Sequence, residues 1–323
     1  MSFFGGGTDM KAYFEEYGGA VLSTTFDKYC YVSVRHLPGF FEYNNQLTYS
    51  KIEKTVLVEE IEHPMVRNAM KYLDMHDLCI SYDADLPARS GLGSSSSFAV
   101  GLLNAFHALK GQYASKEQLA IEAIHVERVL CHESGGWQDQ IAAAYGGLNK
   151  ITFGPDGFDV APVIIQKERK ERLNRNLMMF FTGFSRFSSE IEEEKVKSIK
   201  NKTAQLQEIA SLVDVGESIL TNRHGDLDEF GRLLNHTWEL KRGIGNKVST
   251  DSLDSIYKTA IDHGAIGGKL LGAGGGGFFV FYVPTDRQEE VKNALRDFLY
   301  VPFQFEDSGT KVLYYRPEDY NPQ

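Results

Sequence analysis

The chain has 323 residues, 42% hydrophobic and 24% charged, the composition of a globular protein with one large core or two ordinary ones. Its 34 lysines and arginines stand against 44 aspartates and glutamates, a net charge of −10, which excludes a non-specific nucleic-acid binder. No apolar run is long enough to cross a membrane, Met1-Ser2-Phe3-Phe4-Gly5 does not open a signal peptide, and Cys30, Cys79 and Cys131 form neither a disulfide framework nor a zinc site, so a soluble cytoplasmic protein with buried thiols is expected.

Taken in order, the first element is a glycine cluster, Gly5 to Gly7, followed by a run from Gly19 to Val34 with β-character. A short helix is predicted over Val66–Leu73 and a strand over Leu78–Asp83. Pro87-Ala88-Arg89-Ser90-Gly91-Leu92-Gly93-Ser94-Ser95-Ser96-Ser97 is a small-residue loop leading into an apolar helix that ends near Leu109. Ser115 with Gln118 reads as a capping box for a helix reaching about residue 132. A short alanine-rich helix spans Trp137–Tyr145. Pro155–Arg175 is turn-rich and charged, and a domain boundary is placed there, giving domains over 1–172 and 173–323. Beyond it come a strand at Leu177–Phe181, amphipathic helices over 188–242, and a helix at Asp251–His263. A glycine segment over Gly267–Gly277 enters the strand Phe278–Val283. A helix at Arg287–Leu299 and a strand at Val312–Tyr315 complete the prediction. Helices and strands interleave, so the class is mixed α and β.

The strongest chemical signal is Gly91-Leu92-Gly93-Ser94-Ser95. Small residues let backbone approach an anion, and a helix starting at the serines aims free N–H groups and its positive dipole end at it. The serine hydroxyls can also ligate Mg²⁺, which prefers hard oxygen. No Walker or protein-kinase motif occurs. Gly272-Ala273-Gly274-Gly275-Gly276-Gly277 fits a dinucleotide-binding pattern formally. It precedes a strand, however, and reads either as a tight turn or as backbone lying against substrate or phosphates. Glu127 borders the apolar stripe of its helix, where an acid is paired, metal-bound or at a pocket rim. Asp139, near a helix start, either complements the dipole or accepts the proton of a substrate hydroxyl. Asp9 is a turn acid or a ligand for vicinal sugar hydroxyls.

Together these motifs resemble the GHMP kinases: the loop around Thr8-Asp9, the Pro87-to-Ser97 loop and the Lys269-to-Gly277 turn occur in the family's order. Phe3 to Asp9, Thr25 to Tyr31 and Gln138 to Gly147 look like the heptose 7-phosphate kinases among them, with fucokinase- and galactokinase-like sugar kinases sharing much of the pattern. The resemblance implies an α+β fold, with an N-terminal domain like domain 2 of ribosomal protein S5 and a ferredoxin-like C-terminal domain. It implies ATP and Mg²⁺ as cofactors and a sugar or sugar phosphate as partner, with a homodimer left open. It places ATP on Pro87, Arg89, Gly91, Leu92, Gly93, Ser94, Ser95 and Ser96, the metal on Ser95 and Glu127, and the catalytic carboxylate at Asp139. Substrate contacts are expected from Gly6, Gly7, Thr8, Asp9, Lys28, Gly274 and Gly275. The resemblance also sets a basic residue and a first strand ahead of Ser2, so either the start is truncated or misassigned, or another cation, Lys28 or Arg89, substitutes. The competing expectations are a kinase-derived sugar sensor and a dinucleotide oxidoreductase.

Overall fold

The computed structural model describes residues 1–87, 91–183, 202–244, 249–272 and 274–316. The N-terminal half holds two antiparallel-rich sheets. In the first, strands β1 (Ser2–Phe4), β2 (Gly19–Ser23), β8 (Asn149–Gly154) and β9 (Gly157–Pro162) lie in that order, all antiparallel. In the second, β4 (Cys30–His36), β7 (Leu78–Ala84), β5 (Asn45–Thr48) and β6 (Ile52–Thr55) are neighbours, with β5 and β7 parallel. Helix α3 (Ser94–Leu109) carries the apolar face of the serine loop's continuation. Its Phe98, Leu102, Leu103 and Phe106 are buried in a core shared with α2 (Pro64–Tyr72) and α4 (Lys116–Ile124). Burial of such side chains contributes about 1.5–3 kcal/mol each before entropy is counted.

The C-terminal half is an antiparallel sheet in the order β11 (Gly267–Leu270), β12 (Gly277–Tyr282), β10 (Leu177–Gly183) and β13 (Leu299–Tyr300). Three of its helices are α7 (Thr203–Thr221), α8 (Asp228–Ile244) and α9 (Asp251–Asp262). Strand β12 is buried along its whole length, which is why it reads as an unbroken apolar run instead of an alternation. Phe3, Phe4 and Leu22 pack in one cluster with Phe230, Leu234 and Phe278, so the first sheet and the C-terminal helices share a core.

Several expectations need correction. The charged stretch before the second half is not simply turns: it holds β9 and helix α6 (Lys167–Arg175), whose Leu173 is buried along with Arg169, the guanidinium donating to the carbonyls of Ile219, Leu220 and Gly225. The helix capped by Ser115, whose hydroxyl accepts the Gln118 N–H at 3.1 Å, is α-helical only to Ile124. It then widens into a π turn over His125–Leu130, with Cys131 N–H donating to the Val126 carbonyl five residues back. The predicted helix at Arg287–Leu299 shrinks to α10 (Gln288–Ala294), and Leu299 joins β13. No strand forms at Val312–Tyr315, where Leu313 and Tyr314 are exposed; the last strand is β14 (Phe305–Glu306), paired with β3 (Thr25–Phe26). Of the three cysteines only Cys79 is fully buried, and all are free thiols. Residues 188–201 of the predicted helical region lie outside the described residues.

Candidate active site

Gly93 caps α3 in a left-handed conformation, φ 72°, leaving the first N–H groups of the helix at Ser94–Ser96 pointing out of its N-terminus. Two hydroxyls of that first turn converge on one carboxylate. Ser95 Oγ donates to Glu127 Oε1 at 2.9 Å and Ser96 Oγ to Glu127 Oε2 at 3.0 Å. Glu127 is 1% exposed, and a third donor, Gln140 Nε2, also reaches Oε2. An acid so deep is tolerable because its oxygens are met by donors. The π turn brings it there: the wider turn lets Glu127 face α3 while the adjacent Arg128 faces the following loop. Arg128 donates to the carbonyls of Ser134 at 3.1 Å and Gly136 at 3.2 Å.

That loop delivers Asp139 on α5 (Gln138–Tyr145). A Cβ on Gly93 would lie 3.3 Å from Asp139 Cγ, so the carboxyl rests against the cap of α3. Asp139 opens into a cavity that Leu92, Gly93 and Ser94 line on one side and Thr25, Lys28 and Tyr29 on the other. The carboxyl is exposed to the cavity, yet the surrounding protein desolvates it. Burial raises its pKa above the ordinary carboxylate value, the Asp9 charge adds to the rise, and cations including Arg128 oppose it. A carboxylate biased towards taking up a proton, beside a helix N-terminus, can deprotonate an alcohol placed in the cavity.

The first glycine loop buttresses this arrangement. Thr8 is wholly buried, its hydroxyl accepting the Ala20 N–H at 3.1 Å and lying 2.8 and 2.9 Å from the Gly5 and Ala20 carbonyls, between which its one proton is shared. Asp9, 2% exposed, accepts the N–H groups of Gly7 at 2.9 Å and Gln138 at 3.2 Å. Gly6 and Gly7 thus sit beside the residue preceding Asp139. Lys28 Nζ reaches the cavity while held by Asp27 Oδ1 at 3.1 Å.

The late glycine turn meets the serine loop directly. A Cβ on Gly272 would stand 2.5 Å from Gly91 Cα, and Gly272 has φ 75°, so only glycine fits where the two loops touch. Lys241 of α8 donates to the Leu270 and Gly272 carbonyls and fixes the turn. Gly274 and Gly275 follow, both at positive φ. Pro87 is exposed at the entrance to the serine loop, and Arg89 lies outside the described residues.

Sequence reading missed Gln140, Arg128, Thr25 and Tyr29. Gln140 is a fully buried amide one residue from Asp139, and a polar residue on the buried side of an alanine-rich helix is the signal that finds it. Arg128 follows Glu127 and carries no periodic mark, because the π turn breaks the helical count. Thr25 and Tyr29 are ordinary strand residues by type.

Residues 50–147 match the family model of the GHMP kinases N terminal domain, and residues 217–301 that of the GHMP kinases C terminal. A D-glycero-alpha-D-manno-heptose 7-phosphate kinase of Campylobacter jejuni is 29% identical over 333 residues, 96% of either chain. A galactokinase of Pyrococcus furiosus is 26% identical over 67% of either chain. Among solved structures, a D-glycero-D-manno-heptose 1-phosphate kinase from Bacteroides thetaiotaomicron superposes with a TM-score of 0.78 at 25% identity, over 97% of both chains. Mevalonate kinase of Methanococcus jannaschii, 20% identical, shares the fold over 94% of this chain and 95% of its own, with a TM-score of 0.71. The serine-headed helix, the glycine turn against it and the family matches on both halves lead to one conclusion: the chain belongs to the GHMP kinases and is an ATP-dependent sugar kinase of that family.

Proposed function

We propose that the chain transfers the γ-phosphate of ATP to the anomeric hydroxyl of D-glycero-D-manno-heptose 7-phosphate, giving the 1,7-bisphosphate for nucleotide-heptose and surface-polysaccharide synthesis. The observation that carries the reading is the placement of the Asp139 carboxyl, facing the cavity and touching the cap of α3. The choice of sugar rests on the Campylobacter relative, similar over nearly the full length of both chains.

In this reading Gly91 to Ser96, with Pro87 and Arg89, cradle the triphosphate. Ser95 and Glu127 offer a hydroxyl and a carboxylate 2.9 Å apart, hard oxygens that suit Mg²⁺. Bound there, Mg²⁺ would neutralise charge on the phosphates. The acceptor oxygen attacks the γ-phosphorus, the bond to the ADP oxygen breaks, and the hydroxyl proton passes to Asp139. Gly6, Gly7, Thr8 and Asp9 shape the acceptor side, Lys28 supplies a cation to it, and Gly274 and Gly275 lie close to the reacting phosphates.

The test is ADP release with ATP and Mg²⁺ over a panel of heptose 7-phosphate, L-fucose and D-galactose. The heptose phosphate should turn over fastest, with a new anomeric phosphorus resonance in the product. Faster turnover of fucose or galactose would overturn the substrate assignment. Asp139→Asn should keep ATP affinity and lose about 10²-fold or more in kcat.

A further inference from the structure

The segment Phe303–Thr310 lies beyond residue 301, where the matched C-terminal model ends, and Thr25–Tyr29 lies ahead of residue 50, where the N-terminal model begins. These two segments, outside the two matched models, build one wall of the cavity together. β14 pairs antiparallel with β3, Phe305 opposite Phe26 and Glu306 opposite Thr25. Thr25 Oγ1 donates to the Glu306 carbonyl at 2.6 Å. Asp27 Oδ1, which holds Lys28, also accepts the Gln304 N–H at 2.8 Å. Tyr29 Oη donates to Glu306 Oε2 at 2.6 Å, and the other Glu306 oxygen accepts the Ser308 N–H and hydroxyl. Farther along, the Thr310 N–H donates to the Ala143 carbonyl at 2.9 Å, on the helix of Asp139. Asn104 of α3 donates to Thr310 Oγ1 at 3.1 Å.

The segment therefore touches three of the elements that line the cavity: the Thr25–Tyr29 segment, the Asp139 helix and, at Asn104, the serine-headed helix. Lys28 and Tyr29 line the cavity; Glu306 accepts the Tyr29 hydroxyl directly, while Gln304 reaches Lys28 only through Asp27. The ATP loop has its own supports in Glu127 and Gly272, within the shared models.

We propose that Phe303–Thr310 is a brace that sets affinity for the sugar acceptor, with Glu306 as a positioning residue acting through Tyr29, and that it leaves ATP binding to the shared core. The Glu306 carboxylate, stabilised first by the Ser308 hydroxyl and then by Tyr29, has its pKa lowered to about 2, so the contact to Tyr29 stays intact at working pH. This inference rests on the reading of the Asp139 cavity as the acceptor site.

The experiment is a double-mutant cycle of Glu306→Ala and Tyr29→Phe, read as separate KM values for ATP and for the best sugar of the panel, with thermal midpoints measured alongside. Glu306→Ala should raise the sugar KM about fivefold and move the ATP KM less than about twofold. The double variant should be no worse than the single ones, since both remove the same bond. Glu306→Gln, which keeps an acceptor for Tyr29, should recover most of the loss. Equal changes in both KM values, or additive effects in the cycle, would overturn the brace. Full turnover by Asp139→Asn would instead overturn the placement of the acceptor, a separate outcome read on a separate variant.

Discussion

Asp139 combines an open carboxyl with a deep setting, and the two have opposite consequences. As a proton acceptor it works only when ionised. With burial holding its pKa above the ordinary carboxylate value, the acid limb of the kcat/KM profile should lie above that value too. A limb at or below it would remove Asp139 from the proton-transfer step. The same rise bears on stability. A folded pKa above the unfolded one means the native state binds the proton more tightly, so the ionised form at neutral pH destabilises the fold, and the effect fades as pH falls. Asp139→Asn should therefore raise the thermal midpoint while abolishing most turnover, and a lowered midpoint would mark the carboxylate as a structural tie. Side chains with a chemical signature could be read from the sequence: Ser95, Glu127 and Asp139 lie within one constellation. Thr8 and Asp9 were legible as a motif, but their hydrogen bonds to backbone were not.

At the level of elements, the serine-headed helix was predictable because loop and helix are contiguous and their small residues have few other uses. The π turn was not. It differs from α-helix by one residue in the hydrogen-bond span, a change with no compositional mark, yet it decides which way Glu127 and Arg128 face. Contact between the two glycine loops was equally hidden, since each looks like an ordinary turn alone. Gly272→Ala tests that contact. A left-handed φ costs a Cβ-bearing residue about 1–2 kcal/mol, and the new methyl would push on Gly91, so the ATP KM should rise about tenfold. An unchanged ATP KM would mean that the serine loop does not depend on the turn for its position.

For the whole molecule, the halves are joined through buried polar contacts as well as through a shared apolar core. Lys269 of β11 is 3% exposed and donates to the Ser2 and Phe3 carbonyls at 2.8 and 2.9 Å, tying the C-terminal sheet to β1. Lys269→Met keeps much of the stem's packing and deletes both donations, and should cost about 2 kcal/mol, seen as a lower denaturation midpoint. No loss would show that the apolar cluster alone holds the halves. Local pattern could not reveal such ties, nor the pairing of Thr25 with Glu306 across 281 residues, because strand partners that far apart leave no periodic trace.

That long-range pairing orders events during synthesis. A ribosome that has threaded out the first three hundred residues has already released the serine loop, Glu127, Asp139 and the late glycine turn. The strand that pairs with Thr25–Phe26, β14, is still inside the exit tunnel. Pairings between distant segments form late because their loops must first be closed. The Thr25–Tyr29 wall of the cavity therefore gains its partner strand last, after the serine loop, Glu127 and Asp139 have had time to assemble.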